Sequence, residues 1–169
     1  MRWYQDRLFP TLLDWATRAL YRDRQRLLQD ASGRVLELGI GTGANLTLYG
    51  DAVIEIHGLE PEAAMLHLAR EHASRNRVRQ PLHLLQGDAR RLPYPDGPFD
   101  TVIACLVLCT IPEPDLACRE IHRVLAPSGR LLLLEHIASG QPRMRRWQQR
   151  LDPLWHHLAC GCHLTRTTP

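Results

Sequence analysis

The sequence predicts an α/β fold in which helices cover both faces of a doubly wound, mostly parallel β-sheet. Apolar segments of strand length alternate with longer segments of helical periodicity along the 169 residues. One short segment, 101–106, is almost wholly apolar, which is typical of a strand buried on both faces of a parallel sheet. A glycine-rich turn, 39–43, follows the first strand segment, and open α/β sheets bind ligands at the carboxyl ends of their strands.

The composition is that of one globular domain, 1–169. Hydrophobic residues make up 44% of the chain and charged residues 23%, which are ordinary values for a folded domain. All 21 basic residues are arginine, and they are interleaved with acids to a net charge of only +3. We therefore expect no nucleic-acid partner.

Apolar runs and cysteines bear on the location of the protein. Every apolar run is far shorter than the about 20 residues of a membrane span, and the five cysteines are an odd number. We therefore expect a cytoplasmic protein with free thiols. The arginine-rich stretches 18–26 and 143–150 leave peripheral contact with a membrane open, and nothing in the sequence indicates an oligomeric state.

Local patterns predict the elements in order. Apolar residues at helical spacing predict an N-terminal helical lid, 1–30, interrupted at Pro10. A core, 31–138, follows, with strands predicted at 35–38, 53–59, 82–86, 101–106 and 130–135. Helices are predicted from about Ala44, from Pro61 and over 115–125. In the C-terminal helical segment, 139–169, we expect Asp152 to be a helix N-cap and Pro153 the first residue of that helix.

The turn after the first strand carries the main functional signal. It reads Glu37-Leu38-Gly39-Ile40-Gly41-Thr42-Gly43, and its glycines let a ligand approach the backbone closely. The spacing is G-x-G-x-G, whereas a dinucleotide-binding turn has G-x-G-x-x-G, and no Walker-type lysine is present. The spacing favours a ligand without a pyrophosphate over a dinucleotide.

Two acids follow the next two strands. Glu60 ends the second strand, where a carboxylate can accept hydrogen bonds from both hydroxyls of a ribose. Asp88 follows the third strand and can accept a hydrogen bond from an adenine amino group, while Gly87 leaves room for the ring. Together the turn and the acids predict an adenosine site.

Four segments carry a resemblance to a known family, in matching order and spacing over about residues 33–138: VLELGIGTGANL, GLEPEAAML, QGDARRLPYPDGPFD and EIHRVLAPSGRLLLLEH. They are similar to the motifs of class I S-adenosylmethionine-dependent methyltransferases, whose fold is Rossmann-like. The resemblance implies S-adenosyl-L-methionine as cofactor and S-adenosyl-L-homocysteine as product. It also implies that the cofactor is contacted by Glu37, Gly39, Gly41, Gly43, Glu60, Pro61, Asp88, Ala89, Cys105 and Leu106.

A narrower resemblance concerns the two ends of the chain and the segment CLVLCTI, which are similar to small bacterial methyltransferases and to alkyl-thiol S-methyltransferases of animals. It implies methyl transfer to a small apolar or thiol-containing acceptor. Transfer to a lipid, quinone or amine, and cofactor binding without activity, stay open. The animal enzymes have an N-terminal hydrophobic anchor that this sequence does not show, so membrane residence is not carried over. Class I folds usually have two further strands, which we expect to be missing here.

Candidates for the acceptor site lie after the fifth strand. His136 follows that strand directly and is our candidate for substrate activation. Further candidates are Asp152, His156 and His157, and an apolar pocket could be lined by Trp3, Tyr4, Trp147 and Trp155. The tail Cys160-Gly161-Cys162-His163 contains zinc-ligand residue types, but no second Cys/His pair stands at the spacing of a zinc site. We therefore predict no metal.

Overall fold

A computed structural model describes residues 12, 15–159 and 161–166; the expected break at Pro10 and the aromatic candidates Trp3 and Tyr4 lie outside them. The described residues form one sheet of five parallel strands in the order β3-β2-β1-β4-β5. The strands are β1 (Gly33–Leu38), β2 (Val53–Glu60), β3 (Leu82–Gln86), β4 (Phe99–Cys105) and β5 (Leu125–Leu134). The predicted doubly wound parallel sheet is confirmed, and within the described part of the chain it has no sixth or seventh strand.

Three helices pack on the two faces of the sheet: α1 (Tyr21–Gln29), preceded by a 3-10 turn, α2 (Ala63–Arg75) and α3 (Pro114–Val124). A fourth helix, α4 (Pro142–Leu158), has no buried residue. Leu28 of α1 and Leu66 of α2 belong to one buried cluster, whereas Ile121 of α3 belongs to the other. Within the described residues, no helix combines the length and the apolar character needed to cross a bilayer.

The alternation of side chains along β1 explains the two cores. Leu36 and Leu38 point to the face covered by α3, and Val35 points to the face covered by α1 and α2. Both clusters contain side chains without solvent exposure. In the edge strand β5, Leu131 and Leu133 are 40% and 37% exposed.

The prediction of a helix from Ala44 is wrong. This stretch is a series of turns closed by short-range bonds, from the Leu46 N–H to the Gly43 carbonyl and from the Leu48 N–H to the Asn45 carbonyl. The side chains of Asn45 and Tyr49 both donate hydrogen bonds to the buried carboxyl of Glu37. The next helix, α2, begins at Ala63 and not at Pro61.

The helix start predicted at Asp152-Pro153 is also wrong. Helix α4 begins at Pro142 and continues through Pro153. Asp152 does not cap a helix, because its carboxylate accepts a hydrogen bond from the Leu164 N–H and pairs with Nδ1 of His163 at 3.0 Å. The carboxylate thus ties the last described residues to the middle of α4.

Candidate cofactor site

The glycine-rich turn leaves open space at the carboxyl end of β1. Gly39, Gly41 and Gly43 all have positive φ, at 59°, 55° and 80°. A Cβ on Gly39 would lie 2.4 Å from Cγ2 of Val107, so this glycine packs against the segment after β4. A Cβ on Gly41 would meet no atom closer than 3.9 Å, so the backbone there borders space that a ligand can enter.

Glu60 lies directly beside that space. It is buried, and its two carboxylate oxygens accept hydrogen bonds from the Gly41 N–H at 3.0 Å and the Glu62 N–H at 3.2 Å. Each carboxylate oxygen can accept two hydrogen bonds, so both retain capacity for the hydroxyls of a diol. Burial raises the pKa of Glu60 above its ordinary value.

Glu37 is the second buried acid at this edge. One oxygen accepts a hydrogen bond from Nδ2 of Asn45 at 2.7 Å, and the other accepts one from the hydroxyl of Tyr49 at 2.6 Å. Burial raises the pKa of Glu37 from 4.5 to about 7 in spite of both bonds. A cationic group placed beside it would favour its ionised form, so the carboxyl suits an ammonium-bearing ligand.

Asp88 lies in the turn after β3, which is tied to β2 by a hydrogen bond from the Gly87 N–H to the Glu60 carbonyl. Its exposed carboxylate is held by Arg90, with Nη2 and Oδ2 2.7 Å apart, and this pairing lowers the pKa of Asp88. The sequence did not predict this partner. Ala89 next to it is buried, as a residue flanking an adenine ring would be.

The segment after β4 is held in an unusual conformation. Cys105 ends the strand, and burial raises its pKa to about 12, so it is a neutral thiol. Leu106 has φ at +57°, a conformation that costs energy for a residue with a side chain and often occurs at functional sites. The carboxylate of Glu135 fixes the next two residues by accepting hydrogen bonds from the Val107 and Leu108 N–H groups.

These features suit S-adenosylmethionine. The space at Gly41 can admit a ligand against the backbone, and two buried carboxylates, those of Glu37 and Glu60, flank the same turn. A ribose diol matches the acceptor capacity of Glu60, and a methionine ammonium matches the charge of Glu37. Pro61, the remaining residue predicted for this site, follows Glu60 and is exposed.

His136 lies in a side-chain cluster that sequence spacing did not reveal. Its Nε2 is 3.4 Å from Sγ of Cys162 and 3.1 Å from the carbonyl oxygen of His163. Sγ of Cys162 is also 3.4 Å from Sγ of Cys109 and accepts a hydrogen bond from Nε1 of Trp155. Interactions with Cys109, His136 and Trp155 lower the pKa of Cys162, and the contact with Cys162 raises the pKa of Cys109.

The other candidates of the C-terminal segment surround this cluster or face away from it. His156 stacks on His163 with ring centroids 4.3 Å apart, and His157 and Trp147 are exposed. Cys160 lies outside the described residues. The segments CLVLCTI, EH and CGCH are far apart in the sequence, and their spacing does not predict the contacts between Cys109, His136 and Cys162.

The parallel sheet, the glycine turn after β1 and the carboxylate at the end of β2 define a Rossmann-like methyltransferase domain of class I. A methyltransferase domain family matches residues 36–133, more than half of the chain. The chain belongs to this family.

Relatives of known activity differ in acceptor. The chain is 37% identical over 147 residues to human thiol S-methyltransferase TMT1B, covering 83% of this chain and 59% of that protein. It is 39% identical over 106 residues to the phosphatidylethanolamine N-methyltransferase of Cereibacter sphaeroides, covering 63% and 52%. The chain therefore spans little more than half the length of these two relatives.

Solved structures share the fold. The YcgJ protein from Bacillus subtilis matches with a TM-score of 0.68 at 28% identity, covering 82% of this chain and 57% of that one. The [4+2]-cyclase SpnF matches with a TM-score of 0.65 at 32% identity, covering 71% and 46%. The fold is thus also used for a reaction other than methyl transfer.

The buried carboxyl of Glu37 makes stability depend on pH. Because its pKa is raised from 4.5 to about 7 in the folded state, its contribution is full below about pH 4.5 and is lost as pH rises through 7. We expect Glu37→Gln to remove this loss, which amounts to about 3 kcal/mol of unfolding free energy between pH 4.5 and 8. Urea denaturation across this range measures it, with Glu62→Gln, an exposed acid, as control. Equal pH slopes in Glu37→Gln and the unmodified chain would contradict the assignment.

Proposed function

We propose that this protein binds S-adenosylmethionine and transfers its methyl group to a small acceptor, with a thiol as the leading acceptor class. The observation that carries the cofactor assignment is the pair of buried carboxylates at Glu37 and Glu60 beside the open backbone at Gly41. Neither a nicotinamide dinucleotide nor a nucleoside triphosphate accounts for the buried acid at Glu37, because both ligands would bring phosphate charge to this turn.

Each residue of the site has an orienting task in this proposal. S-adenosylmethionine supplies, when bound, a methyl group on a cationic sulfonium that is displaced in line. Glu60 accepts the hydrogen bonds of the ribose diol, Glu37 faces the ammonium group, and Asp88 faces the adenine amino group. Cys105 and Leu106 lie beneath the cofactor, where a neutral thiol is suitable. Such orientation of reacting groups can lower a barrier by roughly 7–11 kcal/mol.

The thiol acceptor is supported by relatives and by chemistry. Human TMT1B, whose name states the thiol acceptor, is similar over 83% of this chain. A thiol has a pKa of about 8.5 and so supplies some thiolate near neutral pH without a strong base. In this proposal His136 assists by activating the acceptor, from its position just after β5.

The test measures cofactor binding and turnover on the same protein. We expect S-adenosylmethionine to bind by isothermal titration calorimetry in preference to NADH, and S-adenosylhomocysteine to be released with a small alkyl thiol. Amines, phenols and quinols form the comparison panel. Preference for NADH would overturn the cofactor assignment. Binding without turnover on any acceptor would overturn methyl transfer and favour a cofactor-binding protein without that activity.

A lipid acceptor is the second candidate, because a specific surface favours it. Helix α4 exposes Met144, Trp147 and Leu151 at 53%, 59% and 47%, at spacings that place them along one side of the helix. Arginines flank them, a composition that suits an anionic membrane surface. The phosphatidylethanolamine relative acts on a lipid by its name. Vesicles of phosphatidylethanolamine in the panel separate the candidates, since turnover on vesicles alone would select the lipid.

A further inference from the structure

Three side chains with metal-ligand atoms meet where the C-terminal segment touches the ends of β4 and β5. Cys109 follows β4, His136 follows β5, and Cys162 follows α4. Their ligand atoms all lie within 4.8 Å of one another. Both cysteines are buried and the histidine is half-buried, so the surrounding fold restricts their arrangement.

The distances in this cluster are close to those of a tetrahedral metal site. Sγ of Cys162 is 3.4 Å from Sγ of Cys109 and 3.4 Å from Nε2 of His136. Zinc bound at about 2.3 Å to sulfur and about 2.0 Å to imidazole keeps neighbouring ligand atoms about 3.4–3.8 Å apart. Side-chain adjustments that deprotonate Nε2 of His136 and turn it from the His163 carbonyl would therefore place three ligands around one ion.

The surroundings also suit a cation. The Glu135 carboxylate lies next to Cys109 with its Oε2 buried, and the two side chains interact. A positive ion at the cluster would compensate this buried negative group. Nε1 of Trp155 donates to Sγ of Cys162, as outer groups commonly do toward metal-bound ligands.

We infer that Cys109, His136 and Cys162 form a three-ligand zinc site whose fourth position takes the sulfur of a thiol acceptor. Zinc with three protein ligands keeps one position for a further ligand, and thiolate is a preferred one. The segment after β4 connects the two sites, because Gly39 packs on Val107, which lies two residues before Cys109 in the chain. The assignment of the fourth position rests on the proposed function, whereas the zinc site does not.

Methyl transfer to a thiolate at the fourth position needs no further reactant. An incoming thiol binds as thiolate and releases its proton to solvent, so His136 activates the acceptor as a zinc ligand and not as a base. A lone pair of its sulfur forms the new bond to the methyl carbon. The bond between that carbon and the sulfonium breaks, and its electron pair stays on the departing sulfur, which becomes a neutral thioether.

Cobalt, which replaces zinc in such sites and absorbs visible light, tests the inference on the full chain kept reduced and freed of metal. We expect one Co²⁺ per chain, with the sulfur-to-cobalt absorption of a two-thiolate tetrahedral site, and displacement by one Zn²⁺. Cys109→Ser and Cys162→Ser should each weaken zinc binding by at least about tenfold and diminish this absorption. Cys118→Ser, in α3, and His83→Asn, in a second group of potential ligands with Glu55 and His57, should leave both unchanged.

The outcomes separate the two parts of the inference. Absence of the sulfur-to-cobalt absorption in the unmodified chain would overturn the zinc site, and this readout does not depend on any variant folding. Adding 2-mercaptoethanol to the cobalt-loaded chain should increase that absorption as a third thiolate binds. An unchanged spectrum would overturn the fourth position while leaving the zinc site intact. Methyl transfer is measured separately, so its failure affects neither spectrum.

Discussion

Glu60→Gln is expected to weaken S-adenosylmethionine binding by about 10- to 100-fold. Hydrogen bonds to a charged group contribute about 1.5–3 kcal/mol, and about 1.4 kcal/mol corresponds to a tenfold change in affinity. Glutamine has the same shape but only one acceptor oxygen, which the Gly41 or Glu62 N–H would occupy. Its amide would then present donors toward hydroxyls that need acceptors.

Titration calorimetry with S-adenosylmethionine measures this effect, and a thermal melt without ligand reports whether the variant is folded. Glu62→Gln is the matched control, because this acid is exposed and its hydrogen bond to Glu60 is donated by its backbone N–H, which the variant keeps. An affinity unchanged in Glu60→Gln, with the fold intact, would remove the ribose assignment. Equal losses in both variants would point to a general effect of charge at this edge.

Strand β4 was predictable because a parallel strand buried on both faces must be apolar on both, and residues 101–104 are buried. β3 was predicted with its observed bounds, 82–86, and β2 to within one residue. β5 begins at Leu125, five residues earlier than predicted. The predicted turn around Ser128 and Gly129 lies within the strand, at a point where the register of its pairing with β4 shifts. A turn-forming sequence therefore does not end a strand when a neighbouring strand continues to pair with it.

The helix that was predicted after Gly43, and that the structure does not have, has a different cause. Local propensity treats Asn45 and Tyr49 as helix residues, but burying Glu37 demands hydrogen-bond donors, and these two side chains supply them. Asp152 was missed for a similar reason, since its partner lies beyond α4 at Leu164. In both places a carboxylate has hydrogen-bond partners that the local sequence pattern does not predict.

The two parts of the site differ in how well the sequence alone predicts which residues come together. The glycine turn, Glu60 and Asp88 follow successive strands, so their meeting at one sheet edge follows from parallel topology. The Cys109, His136 and Cys162 cluster depends on how the segment after α4 folds back, which no spacing encodes. The ion pair between Arg90 and Asp88 likewise depends on side-chain conformation, which the sequence does not give.

Gly41→Val is expected to reduce methyl transfer by about two orders of magnitude or more, because its side chain would enter the space next to the backbone where we place the cofactor. Within the described structure a Cβ there meets no atom closer than 3.9 Å, so the side chain has room without the cofactor. Misplacement by about 1 Å can already cost roughly 100-fold in rate. The variant should lose about 1–2 kcal/mol of stability, since φ at this residue is +55°.

Two control variants separate bulk from backbone strain. Gly41→Ala carries the same unfavourable φ with a smaller, unbranched side chain, so it should lose somewhat less stability than Gly41→Val and retain more cofactor affinity. Gly50→Val adds the same side chain at a glycine with open surroundings outside the turn and should bind cofactor normally. Binding by Gly41→Val as tight as by Gly50→Val would place the cofactor elsewhere. An equal affinity loss in Gly41→Ala and Gly41→Val would instead attribute the effect to the conformation of the turn.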